Sequence, residues 1–431
     1  MNIFSLSFSY LKANKLSTTL NLLLLAFGIS VVVILLLAVN QIEDRFSRNA
    51  KDISLVVGAK GSPLQLILSA IYHIDYPTGN IKIKDARKIM KNPLVKQAIP
   101  VGLGDSYSGF RIVGTTHDYF KHFNCKIKEG KLWEKTLEVV IGSEVAQQAN
   151  LKIGDTFLGA HGLEEDGHVH EGHDYVVVGI MQSNGMVTDR LILTAMESIW
   201  AVHEEKKEDT NEGAEEENHT DSIKTGEGNH ENHKEESKHE HHEEVKIDSA
   251  TLEDKEYTAL LIKYRSPMAA VTLPRLVNSI SNLQAASPAA EVSRLFNLIG
   301  IGAEILQFFA LAIISISFLS MFGVLYNALK ERQFDIALMR TLGASRLKVF
   351  LLIIFEGVLL ALLGTLLGIL LGHGGIALFA LLYHQENQVS ALVFLPEEAY
   401  LFGLAAVAGF ISAFIPALQA YKMDIAKILA R

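Results

Sequence analysis

The sequence predicts an α-helical membrane protein with four transmembrane helices and a mixed α/β extracytoplasmic domain between the first and second of them. Three observations support this. Four windows, Leu16–Ile42, Ile305–Leu329, Gly357–Gln385 and Ala399–Tyr421, contain no Asp, Glu, Lys or Arg. The shortest holds 23 residues, and about 20 suffice to cross the hydrocarbon of a bilayer. Between the first two windows, residues 43–296 alternate short β-branched runs with helical patterns, as a soluble α/β domain does. Basic residues, finally, gather in the short connections. Lys12 and Lys15 precede the first window, Lys330, Arg332, Arg340, Arg346 and Lys348 separate the second from the third, and Lys422, Lys427 and Arg431 close the chain. The rule that positive loops stay inside puts these three segments, and both termini, in the cytoplasm. The link near 386–398 carries Glu386, Glu397 and Glu398 with no Lys or Arg, and belongs on the other side.

In chain order, the first window has the basic flank of a signal peptide. Its apolar core is long, however, and LLLAVNQIEDRF offers no small-x-small cleavage site, so an uncleaved anchor over 1–42 is the expectation. GAKGSPLQLILSAIYHIDYPTGN (58–80) follows. Gly58, Lys60, Gly61, Ser62 and Pro63 suit a tight turn or a ligand-facing loop. The apolar run 64–72 either packs as a helix or touches the bilayer or an amphiphilic substrate. His73 and Asp75 stand close enough to share a ligand. EVVIG (138–142) and DYVVVGIM (174–181) read as strands, and GSEVAQQANLKIGDTF (142–157) as helix, turn and the start of a strand near Thr156. YTALLIKY (257–264) is a further strand, and PRLVNSISNL (274–283) and EVSRLFNLI (291–299) read as helices leading back to the membrane part, 297–431.

The chain has one cysteine, Cys125, so it makes no intrachain disulfide, and a buried thiol is the expectation. Its net charge of −9 comes from one tract. Residues 203–247 hold sixteen Asp/Glu against six Lys/Arg, and the remainder is close to neutral. No nucleic-acid partner is indicated. The tract has almost no apolar residues and reads as a disordered acidic insert.

Eleven of the sixteen histidines fall in two places, HGLEEDGHVHEGHDY (161–175) and the acidic insert. The first lies between the strands DTFLGA and YVVVGI, which makes 161–173 a hairpin loop. His168 and His170 are two apart and face one side of an extended strand, and His161 and His173 could complete a set for Zn²⁺ or another borderline divalent metal. His239, His241 and His242 resemble a flexible metal buffer. The competing reading is an acidic linker in which histidine is incidental. No H-E-x-x-H and no nucleophile–base arrangement points to catalysis.

The segment 330–348 is short, basic and amphipathic. Phe334, Ile336, Leu338, Met339 and Leu342 need an apolar partner and the arginines an acidic one. A groove on a soluble protein and an anionic membrane surface satisfy this equally well. Glu356 lies inside the third window, where a carboxylate is costly; pairing with Arg340 or Arg346 is preferred to contact with a substrate. Glu304, at the mouth of the second span, is assigned no role. Gly357, Gly364, Gly368 and Gly372 allow close helix approach, in a dimer seam or within one subunit.

KERQFDIALMRTLGASRLKVFLLIIFEGVLLALLGTLLGILLG (330–372) resembles the membrane module of the MacB/FtsX/LolC–LolE superfamily, the type VII ABC transporter permeases. The residues that carry the likeness are Glu331, Arg332, Asp335, Ile336, Arg340, Leu342, Gly343 and Ala344, followed by Glu356. Asp335 stands where the family commonly has Glu. IPALQAYKMDIAKIL (415–429) resembles the family's closing segment, and VVIGSEVAQQANLKIGDTF its MacB-like external domain. The resemblance implies that Glu331, Arg332, Asp335, Met339, Arg340, Leu342 and Gly343 dock on an ABC ATPase subunit, and that the chain pairs with a second copy or a paralogous permease. With no G-x-x-x-x-G-K-[ST] in the chain, ATP is bound by that partner and the chain is not an enzyme by itself. The implied role is a subunit of the bacterial inner membrane that couples ATP hydrolysis to movement of its external domain. Export or extraction of a substrate linked to divalent metal fits the histidines. Lipoprotein or lipid extraction of the LolC–LolE kind, and FtsX-like control of a cell-wall hydrolase through a periplasmic partner, are the alternatives.

Overall fold

An uncharged window sets the apolar length of a helix and leaves its ends undetermined. The computed structural model describes residues 15–161, 169–209, 255–280, 282–382, 390–424 and 428. Within these, α1 (Lys15–Asn49) leads to β1 (Leu55–Ala59), α2 (Pro63–Ala70), β2 (Ile81–Lys82) and α3 (Ile83–Met90). Then come β3 (Val95–Tyr107), β4 (Phe110–Thr115), α4 (His117–His122), β5 (Ile127–Gly130), β6 (Glu138–Ile141) and α5 (Ser143–Gln148). The hairpin β7 (Thr156–His161) and β8 (Val169–Met181) precedes β9 (Leu191–Ala195) and α6 (Met196–Asp209). β10 (Glu256–Tyr257), β11 (Ala259–Tyr264), α7 (Ala269–Asn278) and β12 (Leu283–Ala286) complete the α/β part. α8 (Pro288–Glu331), α9 (Gln333–Thr341), α10 (Arg346–Leu382) and α11 (Pro396–Lys422) follow. The chain divides into two compact units, residues 46–292 and residues 1–45 with 293–431.

The α/β unit is a ten-stranded mixed sheet in the order β12-β1-β11-β3-β4-β9-β6-β8-β5, with β7 joined to β3 and β8. Helices cover it in two places, which gives two cores. Leu55, Val57, Leu260 and Ile262 pack with Ile89 of α3 and Leu273 and Val277 of α7. Ile112, Val139, Ile141, Val177 and Ile192 pack with Val145 of α5 and Ile199 and Val202 of α6. Strand β6 is buried at every position but its first, which explains why it reads as an apolar run without alternation, while β4 is buried throughout and takes Arg111 into the interior with it. β7 and β8 are antiparallel, with Phe157 opposite Tyr175, so the first histidine segment does join the arms of a hairpin. β8 begins earlier than the run DYVVVGIM suggests, at Val169.

One expectation is corrected in this unit. The run 274–283 is not one helix: α7 ends at Asn278, and Leu283–Ala286 is an edge strand paired with β1. Pro274 sits inside α7, which starts five residues earlier, because AAVT continues the apolar face that buries Ala269, Leu273 and Val277. EVSRLFNLI is helical and leads into the membrane part, as the start of the 44-residue α8. Of the two readings of the run 64–72, the packed helix is the one seen. Ser62 caps α2 by accepting a hydrogen bond from the Gln65 amide, and Leu66, Ile67 and Ile71 are fully buried. His73 and Asp75 engage different partners. The His73 ring is buried with Nε2 3.0 Å from the Tyr119 hydroxyl, while the Asp75 carboxylate accepts from the amide of Tyr76.

In the other unit, four helices among the described residues are long and apolar enough to cross a membrane. α10 packs along α1 through the glycines. A Cβ at Gly364 would come within 2.6 Å of Leu25, at Gly368 within 2.7 Å of Ile29, and at Gly372 within 2.8 Å of Val33. Residues four apart on one helix thus meet residues four apart on the other. Gly357 faces α11 instead, where its Cβ would meet Ala413 at 2.6 Å. All four glycines therefore serve packing within one chain, and the dimer-seam reading of them is set aside.

Candidate functional site: an anchored helix between two spans

α9 lies between the spans α8 and α10 and ends abruptly. The Ala344 amide donates to the carbonyl of Met339 at 3.0 Å and the Gly343 amide to that of Arg340 at 3.1 Å. That is the Schellman arrangement, which needs a left-handed residue just past the helix, and Gly343 supplies it with φ +99°. Ser345 then caps α10 by accepting from the Lys348 amide at 3.2 Å. The sequence T-L-G-A-S is thus a stop followed by a start, and Gly343 acts through backbone geometry.

The two faces of α9 differ. Ile336 is 4% exposed and packs with Met321, Leu325 and Leu329 of α8 and Val349 and Ile353 of α10; Met339 joins the same cluster. The expectation that all five apolar residues of this segment await a partner is therefore corrected, because two of them are held by their own chain. Phe334, Leu338 and Leu342, at a spacing of four, form the opposite stripe and are 59%, 46% and 80% exposed. Met339, Leu342, Gly343, Ala344, Lys348, Val349 and Leu352 line a groove of about 300 Å³ beside it. Asp335 is exposed, as is Glu331 at the end of α8.

Two arginines fix the ends of α9. Arg332, between α8 and α9, donates from Nη1 to Oε1 of Glu356 at 3.2 Å, with both side chains nearly buried. Leu325, Leu329, Ile336, Leu352 and Ile353 surround this pair, a low-dielectric wall in which either charge alone would be costly. The sequence reading assigned Glu356 to Arg340 or Arg346. That pairing is corrected: Arg340 instead donates from Nη1 to the main-chain carbonyl of Met423, just past α11, at 2.8 Å. Glu356 lies about 15 Å along α10 from its first residue, at 1.5 Å per residue. A side chain at the α8–α9 junction reaches back to it more easily than one at the far end of α9.

The histidine candidates lie elsewhere. The side chains of His161, His170 and His173 and the whole of His168, His239, His241 and His242 lie outside the described residues. Among the described residues no three His, Cys, Asp or Glu side chains gather as a metal site. Sequence reasoning missed one polar pair altogether, His373 with Glu398 at 3.0 Å. The available signal was a histidine inside an uncharged window, which by itself does not name a partner.

Four apolar spans, an α/β domain between the first two and a short helix between the middle pair define a membrane protein with a single large inserted domain. The family model for the MacB-like periplasmic core domain matches residues 18–217, and that for the FtsX-like permease C-terminal domain matches residues 307–425. The chain belongs to the MacB/FtsX, or type VII, family of ABC transporter permeases, whose members work with an ABC ATPase subunit. Among solved structures, it is similar to the periplasmic region of MacB from Actinobacillus actinomycetemcomitans, at 13% identity over 58% of this chain and 96% of that one, TM-score 0.33. It is also similar to the extracellular domain of the ABC-type transporter YknZ from Gram-positive bacteria, at 10% identity over 54% and 100%, TM-score 0.28. A permease-protein domain from Porphyromonas gingivalis gives 8% identity over 54% and 86%, TM-score 0.26. No curated protein matches the sequence significantly.

Proposed function

We propose that this chain is the inner-membrane permease half of an ABC machine in which a separate ATPase, docked on α9, moves the spans and through them the α/β domain. The observation that carries the reading is the division of α9 into a clamped face and an open one. The open stripe Phe334–Leu338–Leu342 suits an apolar groove on a soluble partner. The clamped side gives any push on α9 two hard connections, Arg332–Glu356 to α10 and Arg340–Met423 to the end of α11. Both termini and α9 are assigned to the cytoplasm, in keeping with the basic residues around α9, and a second permease chain completes the pair.

The test is purification of the tagged full chain from its own membrane, with assay for an accompanying ABC ATPase. Phe334→Asp with Leu342→Asp should abolish co-purification and ATP hydrolysis in the preparation. Undiminished recovery of the ATPase with that double variant would overturn docking at α9.

The substrate is proposed to be linked to a divalent metal. Support comes from the density of histidine in 161–173 and 203–247, eleven of sixteen in the chain, on the side facing away from the ATPase. Calorimetric titration of the full chain with Zn²⁺ should show binding that disappears when the histidines of both segments are replaced by glutamine. Binding unchanged by that replacement would leave extraction of lipids or lipoproteins, or regulation of a hydrolase, as the better reading.

A further inference from the structure

At the end of the membrane unit opposite α9, His373 of α10 and Glu398 of α11 meet among apolar residues. Nδ1 of His373 lies 2.6 Å from the carbonyl oxygen of Ala391. A carbonyl only accepts, so Nδ1 carries a hydrogen. Nε2 lies 3.0 Å from Oε2 of Glu398, and that bond also needs a hydrogen, on the ring or on the carboxyl group. In either form the pair holds one proton more than a neutral imidazole and an ionised carboxylate would hold apart. Oε1 of Glu398 accepts from the Leu395 amide at 3.1 Å, which suits an ionised carboxylate accepting on both oxygens. We infer that His373 and Glu398 form a proton-binding site, and that the bound proton ties the link before α11 to the end of α10.

The surroundings make the proton structurally decisive. Val33 and Leu37 of α1, Ile369 and Ile376 of α10, and Ala391 and Leu395 of the link form one apolar cluster here, and the Phe394 ring lies 4.5 Å from that of His373. When the proton leaves, a buried carboxylate faces a ring nitrogen lone pair, and two acceptors at 3.0 Å repel with little water to screen them. No other titratable group lies on α10 between Gly357 and Leu382, nor on link residues 390–395. On the neighbouring elements Glu397 and Tyr400 of α11, Glu304 of α8, and Glu43 and Asp44 of α1 are exposed, and Arg45 of α1 is half-buried. The same link is held from α1 by Gln41, which donates to the Ser390 carbonyl and accepts from its amide, both at 2.9 Å. Three spans thus converge on residues 390–398, and one of the connections contains a removable proton. The tie is complete while the proton is bound and is lost as pH rises past the point of its release.

The experiment uses the full chain in nanodiscs with the buried Cys125 replaced by Ser and a spin label at Leu392→Cys, an 84% exposed link position. Between about pH 6 and pH 9, the range that brackets histidine titration, the label should pass from restricted to mobile. His373→Gln and Glu398→Gln should each remove that response, whereas Gln41→Ala should raise mobility at both pH values and keep it. An unchanged spectrum across the range in the otherwise unaltered chain overturns the proposal, and that chain needs no variant at the pair to fold. A response that persists in His373→Gln also overturns it, by assigning the titration to another group.

Discussion

At the scale of single residues, charge inside an apolar wall is the governing cost. Glu356 and Arg332 are a buried pair, and removing one partner leaves the other charge in a place that cannot solvate it. Glu356→Gln is expected to lose about 3–5 kcal/mol of stability. Adding Arg332→Gln should recover much of that loss, as a double-mutant cycle of thermal unfolding in detergent would show. In the α/β unit, burial holds His73 neutral, with the nearby Arg111 cation adding to the effect, and brings its pKa down to about 3. Its folded value lies below its unfolded value of about 6.5. Below pH 6.5 the unfolded chain therefore takes up a proton that the folded chain refuses. Stability is complete above that point and falls as pH drops toward 3, by up to about 1.4 kcal/mol per pH unit. His122, whose pKa is also lowered by burial, acts in the same direction. His73→Gln should flatten part of the slope in melts recorded from about pH 7 to pH 4.

At the scale of elements, the α1–α10 seam makes a differential prediction. Gly368→Leu forces a side chain into Ile29 and the Ala26 carbonyl and should cost about 1–3 kcal/mol or more in detergent melts, as overpacking does. Gly300→Ala meets nothing within 4 Å and should be neutral, or stabilising by the helix propensity gained, up to about 1 kcal/mol. The spans, the hairpin around the first histidine segment and the helix–turn–strand at 142–157 were legible because each depends on local pattern: an uncharged length, a β-branched run, a Gly-containing turn. β12 was not legible, because LQAA becomes a strand only by pairing with β1, more than 200 residues away in sequence. The glycine stripe announced close packing, but its periodicity could not say against which helix. α9 was recognisable as amphipathic. Which of its apolar residues were already satisfied depended on the contacts of Ile336 with α8 and α10. The partners of Glu356 and His373 were hidden for the same reason, since a lone polar residue in an apolar run shows that a partner is needed and not where it lies.

At the scale of the whole molecule, the acidic insert is separable from the fold on chemical grounds. Its first seven residues, 203–209, read as disordered from composition, belong instead to α6; residues 210–247 contain too little apolar surface to offset their ordering entropy. Their deletion should leave the melting temperature within about 2 °C of the full chain, well below the shift a loss of 1 kcal/mol brings to a small domain. A larger fall, measured by scanning calorimetry, would show that the tract belongs to the folded domain after all. The sheet order places β1 between β12 and β11, with Val56 opposite Ala286, so the first strand of the α/β unit and its last are neighbours. A module whose entrance and exit lie side by side can be lifted out of one host and spliced into another without stretching either. Insertions elsewhere in the module, the histidine tracts among them, leave both crossings to the membrane helices where they are. In this chain the ladder between β1 and β12 is the splice point where that exchange would be made.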